Sequence, residues 1–199
     1  MEILRYHNKS DDAANIVESV NANHNLTDAD LVVILESEDY SNRTEIDKIF
    51  KKPAFFWNAR KNKKMNKNDV PERIFQVMSQ ENCKYLIWLS KETIESQPIR
   101  LTWLYAHEVR HYLQSQDLSI VLELEKKLKS IHESENFNGK GVTKLECPGE
   151  LDCELFAEKT IKQTFTEEEY LGYISNERSK QNGNVYYDRL DYLSDLLCA

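Results

Sequence analysis

Apolar and polar positions along this chain follow two rhythms, and the switches between them mark its elements. "AANIVESVNAN" (13–23) spaces its apolar residues as an amphipathic helix does. "DLVVILESE" (30–38) is a continuous apolar run, rich in β-branched residues and bounded by acids, which predicts a buried strand. "RTEIDKIFKK" (43–52) predicts a short helix cut off before Pro53, because the residue preceding a proline is pushed out of helical geometry. "PAFFWNA" (53–59) predicts a second strand. "VPERIFQVMSQ" (70–80) predicts a helix with Pro71 suited to its first turn. In "CKYLIWLS" (83–90) the pattern predicts a strand with Tyr85, Ile87 and Leu89 on one face and Leu86 and Trp88 on the other.

The second half is helical throughout. Pro98 suits the first turn of a helix carrying "IRLTWLYAHEVRHYLQSQ" (99–116). "LSIVLELEKKLKSIH" (118–132) places Val121, Leu124, Leu128 and Ile131 on one stripe. After a loop, "NFNGKGVTKLECPG" (136–149), the segment "ELDCELFAEKTIKQ" (150–163) predicts a helix starting just after Pro148 and Gly149. Thr166 predicts a cap before the acidic first turn of "TEEEYLGYISN". "YYDRLDYLSDLL" (186–197) predicts the closing helix. Scarce glycine and proline, 5 and 4 residues, argue against a many-turned sandwich or barrel. The expected class is α+β, predominantly helical. The expected organisation is an N-terminal α/β portion (1–80), a core (81–165) and a C-terminal helical segment (166–199), with 1–80 part of the same domain as the core.

Charge narrows the partners. A formal net charge of -8 excludes a nucleic-acid binder that works by bulk electrostatics. Against that background, residues 51–73 carry eight Lys or Arg against Asp69 and Glu72. This stretch reads as a solvated basic loop at about 58–70, or else as a docking patch for an acidic partner; no aromatic interrupts "RKNKKMNKN" to stack on bases. No leader pattern or apolar run of membrane-spanning length is visible. Four scattered cysteines fit a reducing compartment, so the expected address is the cytoplasm.

"HEVRH" (107–111) is where chemistry enters. Positions four apart lie about 40° round a helix from one another, so His107 and His111 point the same way and can share one Zn²⁺. Glu108, beside them, can reach a metal-activated water as general base. Two histidines and a carboxylate in a segment as apolar as "LTWLYA" are costly unless paired or metallated. A catalytic zinc needs a third protein ligand. Downstream, Glu150, Cys153, Glu154, Ala157 and Ile161 form one helical stripe, small near the carboxylates, which suits close approach to another helix. Glu150 heads the stripe and is the expected third ligand. Glu154 and Asp152 are placed as alternatives or as hydrogen-bond partners to a ligating histidine. His132, Cys147 and Cys153 rank below them.

HExxH followed by "ELDCELFA" resembles the gluzincin-type zinc metallopeptidases of the ImmA/IrrE-like group. "HEVRHYLQ" is similar to the HE-x-RH-x-x-Q of related small bacterial and phage metallopeptidases. The likeness covers roughly residues 83–165. Cys153 stands where that pattern has Ala, and Glu154 where it has Asn. The resemblance implies a small zincin-like domain with a short sheet packed on the HExxH helix. It assigns Glu150 as third zinc ligand, and it implies an endopeptidase acting on an intracellular protein or peptide. It also implies that an extended substrate pairs with the edge of the "KYLIWLS" strand. Tyr112, Tyr170, Tyr173, Tyr186 and Tyr187 are the candidates for stabilising an oxyanion. Arg110, on the flank of the motif, pairs with Asp152 or Glu154 or is solvated. The alternative function is a catalytically silent binding module that keeps the fold.

Overall fold

The computed structural model describes residues 1–6, 10–61, 67–135 and 144–198. The chain runs β1 (Glu2–Arg5), α1 (Ser10–Asn23), β2 (Leu31–Leu35), β3 (Ala54–Asn58), α2 (Glu72–Met78), β4 (Tyr85–Leu89), α3 (Lys91–Ile94), α4 (Pro98–Gln116), α5 (Ser119–Glu135), α6 (Pro148–Thr164), α7 (Glu167–Ser179) and α8 (Gly183–Cys198). The class is α+β and mostly helical, with one mixed sheet of order β1-β2-β4-β3. β1, β2 and β4 are parallel, and β3 returns antiparallel along β4. Two compact units, residues 1–112 and 113–199, divide the chain, and the division falls inside α4.

In the first unit β2 and β4 are buried along their whole length, which is why "LVVIL" and "YLIWL" show no polar face. One face of the sheet presents Val32, Ile34, Phe55, Trp57, Leu86 and Trp88 to Ile74 and Val77 of α2, with Tyr40 and Phe50 closing the cluster. Its centre is aromatic. Phe50 meets Phe55 and Trp88 edge-on at 5.2 and 5.8 Å, and Phe55 stacks on Trp88 at 5.3 Å. On the other face, Phe56 and Tyr85 meet Tyr112 of α4, the last pair at 5.2 Å.

The structure departs from the sequence reading at four points. β1 was invisible in the sequence: it is a four-residue edge strand, partly exposed, held by its ladder to β2. The helix expected over 43–52 contracts to a single 3-10 turn, Lys48–Lys51. There the Asp47 carboxylate accepts from Ile49 N–H at 2.9 Å, competing with helical pairing, and Lys52 is extended as Pro53 demands. β4 is flanked by β2 and β3, so "KYLIWLS" offers no free edge to a substrate. Of the basic stretch, Lys63 and Lys64 lie outside the described residues, and Arg73 does not belong to a patch: it turns inward to Glu36.

The second unit packs α6 against α5, α7 and α8, with Leu151, Cys153, Ala157 and Ile161 of α6 fully buried. α7 opens with a complete capping box: Thr166 Oγ1 accepts from Glu169 N–H, and the Glu169 carboxylate accepts from Thr166 N–H at 2.8 Å. The turn from α7 to α8 needs Asn182 at a φ of 63° and Gly183, where a Cβ would fall 2.1 Å from the Glu177 carbonyl oxygen. No helix among the described residues is long and apolar enough to cross a membrane.

Candidate functional site

α4 gives the motif its geometry. Its first turn is set by Pro98, with Thr102 Oγ1 donating back to the Pro98 carbonyl at 2.8 Å. Two tyrosines fix its rotation: Tyr105 OH donates to Asn21 Oδ1 and Tyr112 OH to Asp28 Oδ2, both at 2.7 Å. Burial works to raise the Asp28 carboxyl, but the hydrogen bonds from Tyr112 and from Asp30 N–H outweigh it and hold it below the usual carboxylate range. Burial, and then that carboxylate, push the Tyr112 hydroxyl well up, so it stays a donor.

With the helix so held, His107 and Glu108 are 6% and 8% exposed, and His111 is half-buried. The two imidazoles stand edge to face, with ring centroids 4.9 Å apart. Helical geometry brings both histidines to one face with the carboxylate beside them, as the spacing predicts. Arg110 is half-buried on the flank.

α6 carries the other expected residues, and three of its carboxylates are buried: Asp152, Glu154 and Glu158 at 9%, 3% and 7% exposure. Each has its own donors, as buried charges must. Asp152 Oδ2 accepts from Gln114 Nε2 at 2.9 Å. Glu154 accepts from Lys144 Nζ at 2.6 Å and from the Tyr186 hydroxyl. Glu158 accepts from Tyr170 OH and pairs with Lys162 Nζ at 2.9 Å. Glu150 is a third exposed, with Lys144 Nζ at 3.7 Å. Cys153 is fully buried and its thiol is free of disulfide. Cys147 is exposed and precedes Pro148, and the side chain of His132 lies outside the described residues.

Gln114 is the residue whose role the sequence did not disclose. It sits in the last turn of α4, which belongs to the second unit. Its amide nitrogen donates to the Gly149 carbonyl at 2.8 Å and to Asp152, and lies 3.4 Å from Cys153 Sγ. The only signal was its place in "HEVRHYLQ", three residues past His111, which puts it on the face that carries both histidines.

The tyrosines proposed for an oxyanion are already engaged. Tyr112 serves Asp28, Tyr170 serves Glu158, Tyr186 serves Glu154, and Tyr187 bonds with Tyr173. Burial first, then the neighbouring carboxylate, raises the hydroxyls of Tyr170 and Tyr186 well above the ordinary value.

Comparison with known protein families, with characterised proteins and with solved structures finds no match.

Proposed function

We propose that the chain is a metal-dependent hydrolase, a zinc peptidase of HExxH type, with His107 and His111 as two of its ligands. The observation that carries the reading is the His107–Glu108–His111 group, its first two members buried, on one helix whose next turn, at Gln114, reaches Asp152 and Cys153 of α6. Donor chemistry fits a divalent ion of zinc type: two imidazoles, with a thiolate or a carboxylate from α6.

Cys153 is the third donor we favour: its side chain is wholly buried, and its sulfur lies 3.4 Å from Gln114 Nε2. Glu150, which the resemblance assigns, is the alternative and already neighbours Lys144. Zinc bound there supplies Lewis acidity, polarising a carbonyl and making a water easier to deprotonate. Glu108 takes the proton from the attacking water and hands it to the leaving amine. Glu154, held between Lys144 and Tyr186, keeps the first turns of α6 fixed in rotation. A peptide or protein substrate follows from the resemblance alone.

A second reading has support of its own. A thiolate among the ligands is what structural zinc sites use, so the same residues would also suit a silent module that keeps its metal.

Metal content by plasma mass spectrometry separates these cases. The wild type should hold about one zinc per chain, Glu108→Gln should retain it, and His111→Ala should lose it. Loss in Cys153→Ala but not in Glu150→Ala assigns the thiolate; the reverse assigns the carboxylate. A peptide-library digest by wild type that Glu108→Gln abolishes supports the enzyme, and metal without any digest supports the silent module. Protein that takes up no metal even after reconstitution refutes both.

A further inference from the structure

A cleft of about 340 Å³ opens in the first unit, at the end of the sheet where parallel strands β2 and β4 finish. Carboxyl ends of parallel strands are where open α/β sheets bind ligands, and this volume lies at the small end of ligand sites. Its walls come from three segments: Tyr40 and Ser41 after β2, Lys51 and Lys52 before β3, and Ser90 and Lys91 after β4.

The floor is rigid, and it contains a buried charge that the proposed chemistry does not use. Glu36 is fully buried. One carboxylate oxygen accepts from Ser37 N–H and Glu38 N–H at 2.6 and 2.9 Å, and also from Arg73. The other accepts from Tyr40 OH at 3.2 Å and lies 3.5 Å from Trp88 Nε1, and both of those side chains line the cleft. The walls are tied to each other as well. Ser90 N–H and Thr93 Oγ1 both donate to the Pro53 carbonyl, at 2.9 and 2.7 Å, which locks the Lys91 side of the cleft to the Lys52 side.

The charges in the cleft do not cancel. Glu38 is matched by Arg43 at 2.9 Å and Arg73 at 3.4 Å, and Glu92 by Arg100 at 3.2 Å, all from outside the lining. Asp39 accepts from Ser41 N–H and feels Lys91, and Glu95 is also engaged. Among the described residues Lys51 and Lys52 form no ion pair. With Glu38 and Glu92 matched from outside and Lys91 shared with Asp39, Lys51 and Lys52 give the cleft its cationic side.

We propose that this cleft binds a small organic anion through a phosphate or carboxylate group, held by Lys51, Lys52 and Lys91 against the Ser90 and Ser41 wall. The rigid floor means that little ordering is needed when the ligand enters.

Two-dimensional amide NMR of the full chain, titrated separately with pyrophosphate and with succinate, tests this. At least one probe should give saturable shifts at Ser41, Lys51, Lys52 and Lys91, with a dissociation constant of about 1 mM or tighter. Binding should weaken about ten-fold in the Lys51→Ala, Lys91→Ala double variant and hold in Lys48→Ala, whose charge is nearby but outside the lining. Saturation by pyrophosphate alone assigns a phosphate ligand, and by succinate alone a carboxylate. Shifts that never saturate, that spread over the surface, or that respond equally to Lys48→Ala overturn the proposal.

Discussion

Removing Arg73 should test how much the first unit depends on Glu36, among the described residues its one fully buried carboxylate. Glu36 has no exposure, while the Arg73 side chain is 29% exposed, so the pair is screened on one side only. Deleting one partner of a buried pair costs about 3–5 kcal/mol, because the other charge is left behind. Here two backbone N–H groups, the Tyr40 hydroxyl and, at longer range, Trp88 Nε1 remain on the carboxylate, so the cost of Arg73→Met should fall near the lower end, about 3 kcal/mol. Glu36→Gln keeps an acceptor for some of those donors and should cost about 2 kcal/mol. The double variant should cost less than the sum of the two single changes and no more than Arg73→Met alone, since no buried charge is then left without its partner. All three tryptophans, Trp57, Trp88 and Trp103, lie in residues 1–112, so intrinsic fluorescence reports that unit by itself. In urea, with a slope of about 2 kcal/mol/M, Arg73→Met should lower the midpoint by about 1.5 M. A shift below about 0.3 M, or full additivity in the double variant, would refute the view that the pair is coupled and desolvated.

Three further outcomes follow from local contacts. Tyr105→Phe should cost about 1–2 kcal/mol by stranding the buried Asn21 side chain, whose Nδ2 already lacks a hydrogen-bond partner, whereas Tyr105→Phe with Asn21→Leu should be nearly neutral in the same urea assay. The Glu169 carboxyl is held below its ordinary value of 4.5, chiefly by the Thr166 N–H bond; its contribution is complete above that pH and fades as pH falls through the lowered value. Glu169→Gln should therefore lower the thermal midpoint at pH 7 and leave it unchanged at pH 2, and equal shifts at both would remove the capping box from the account. Gly183→Ala should destabilise the second unit by more than 1 kcal/mol, about the ordinary scale of a single change, because a Cβ there meets backbone rather than a movable side chain; unchanged helical circular dichroism on heating would contradict the tight turn.

Local rhythm carried most of the fold. The apolar runs at 31–35, 54–58 and 85–89, the Pro98 start of α4 and the Thr166 cap all depend on neighbours a few residues away. What stayed hidden depends on distant partners. β1 has too few residues for a pattern and exists through its pairing with β2. Arg73 reads as one more surface charge, and only its contact with Glu36, 37 positions earlier, shows otherwise. At the candidate site, the helical spacing of His107, Glu108 and His111 was legible because one helix fixes it. Cys153 ranked below the carboxylates and Gln114 was not singled out, since a cysteine on a stripe beside acids looks like filler, and a glutamine near a helix end looks solvated. Their contact depends on how α4 ends against α6.

β3 is an edge strand, and four of its five residues are apolar: Ala54, Phe55, Phe56 and Trp57. Its inner edge pairs with β4; among the described residues its outer edge has no ladder partner. Exposed Lys51 and Lys52 precede it, and exposed Arg60 and Lys61 follow it. Two molecules aligning edge to edge would bring these like charges together, the means by which natural sheets resist growing into fibres. That guard is electrostatic, and salt shortens its reach to about 3 Å at 1 M. Self-association of this chain should then be promoted by salt, with light scattering that rises with ionic strength and rises earlier when Lys52 and Lys61 are neutralised.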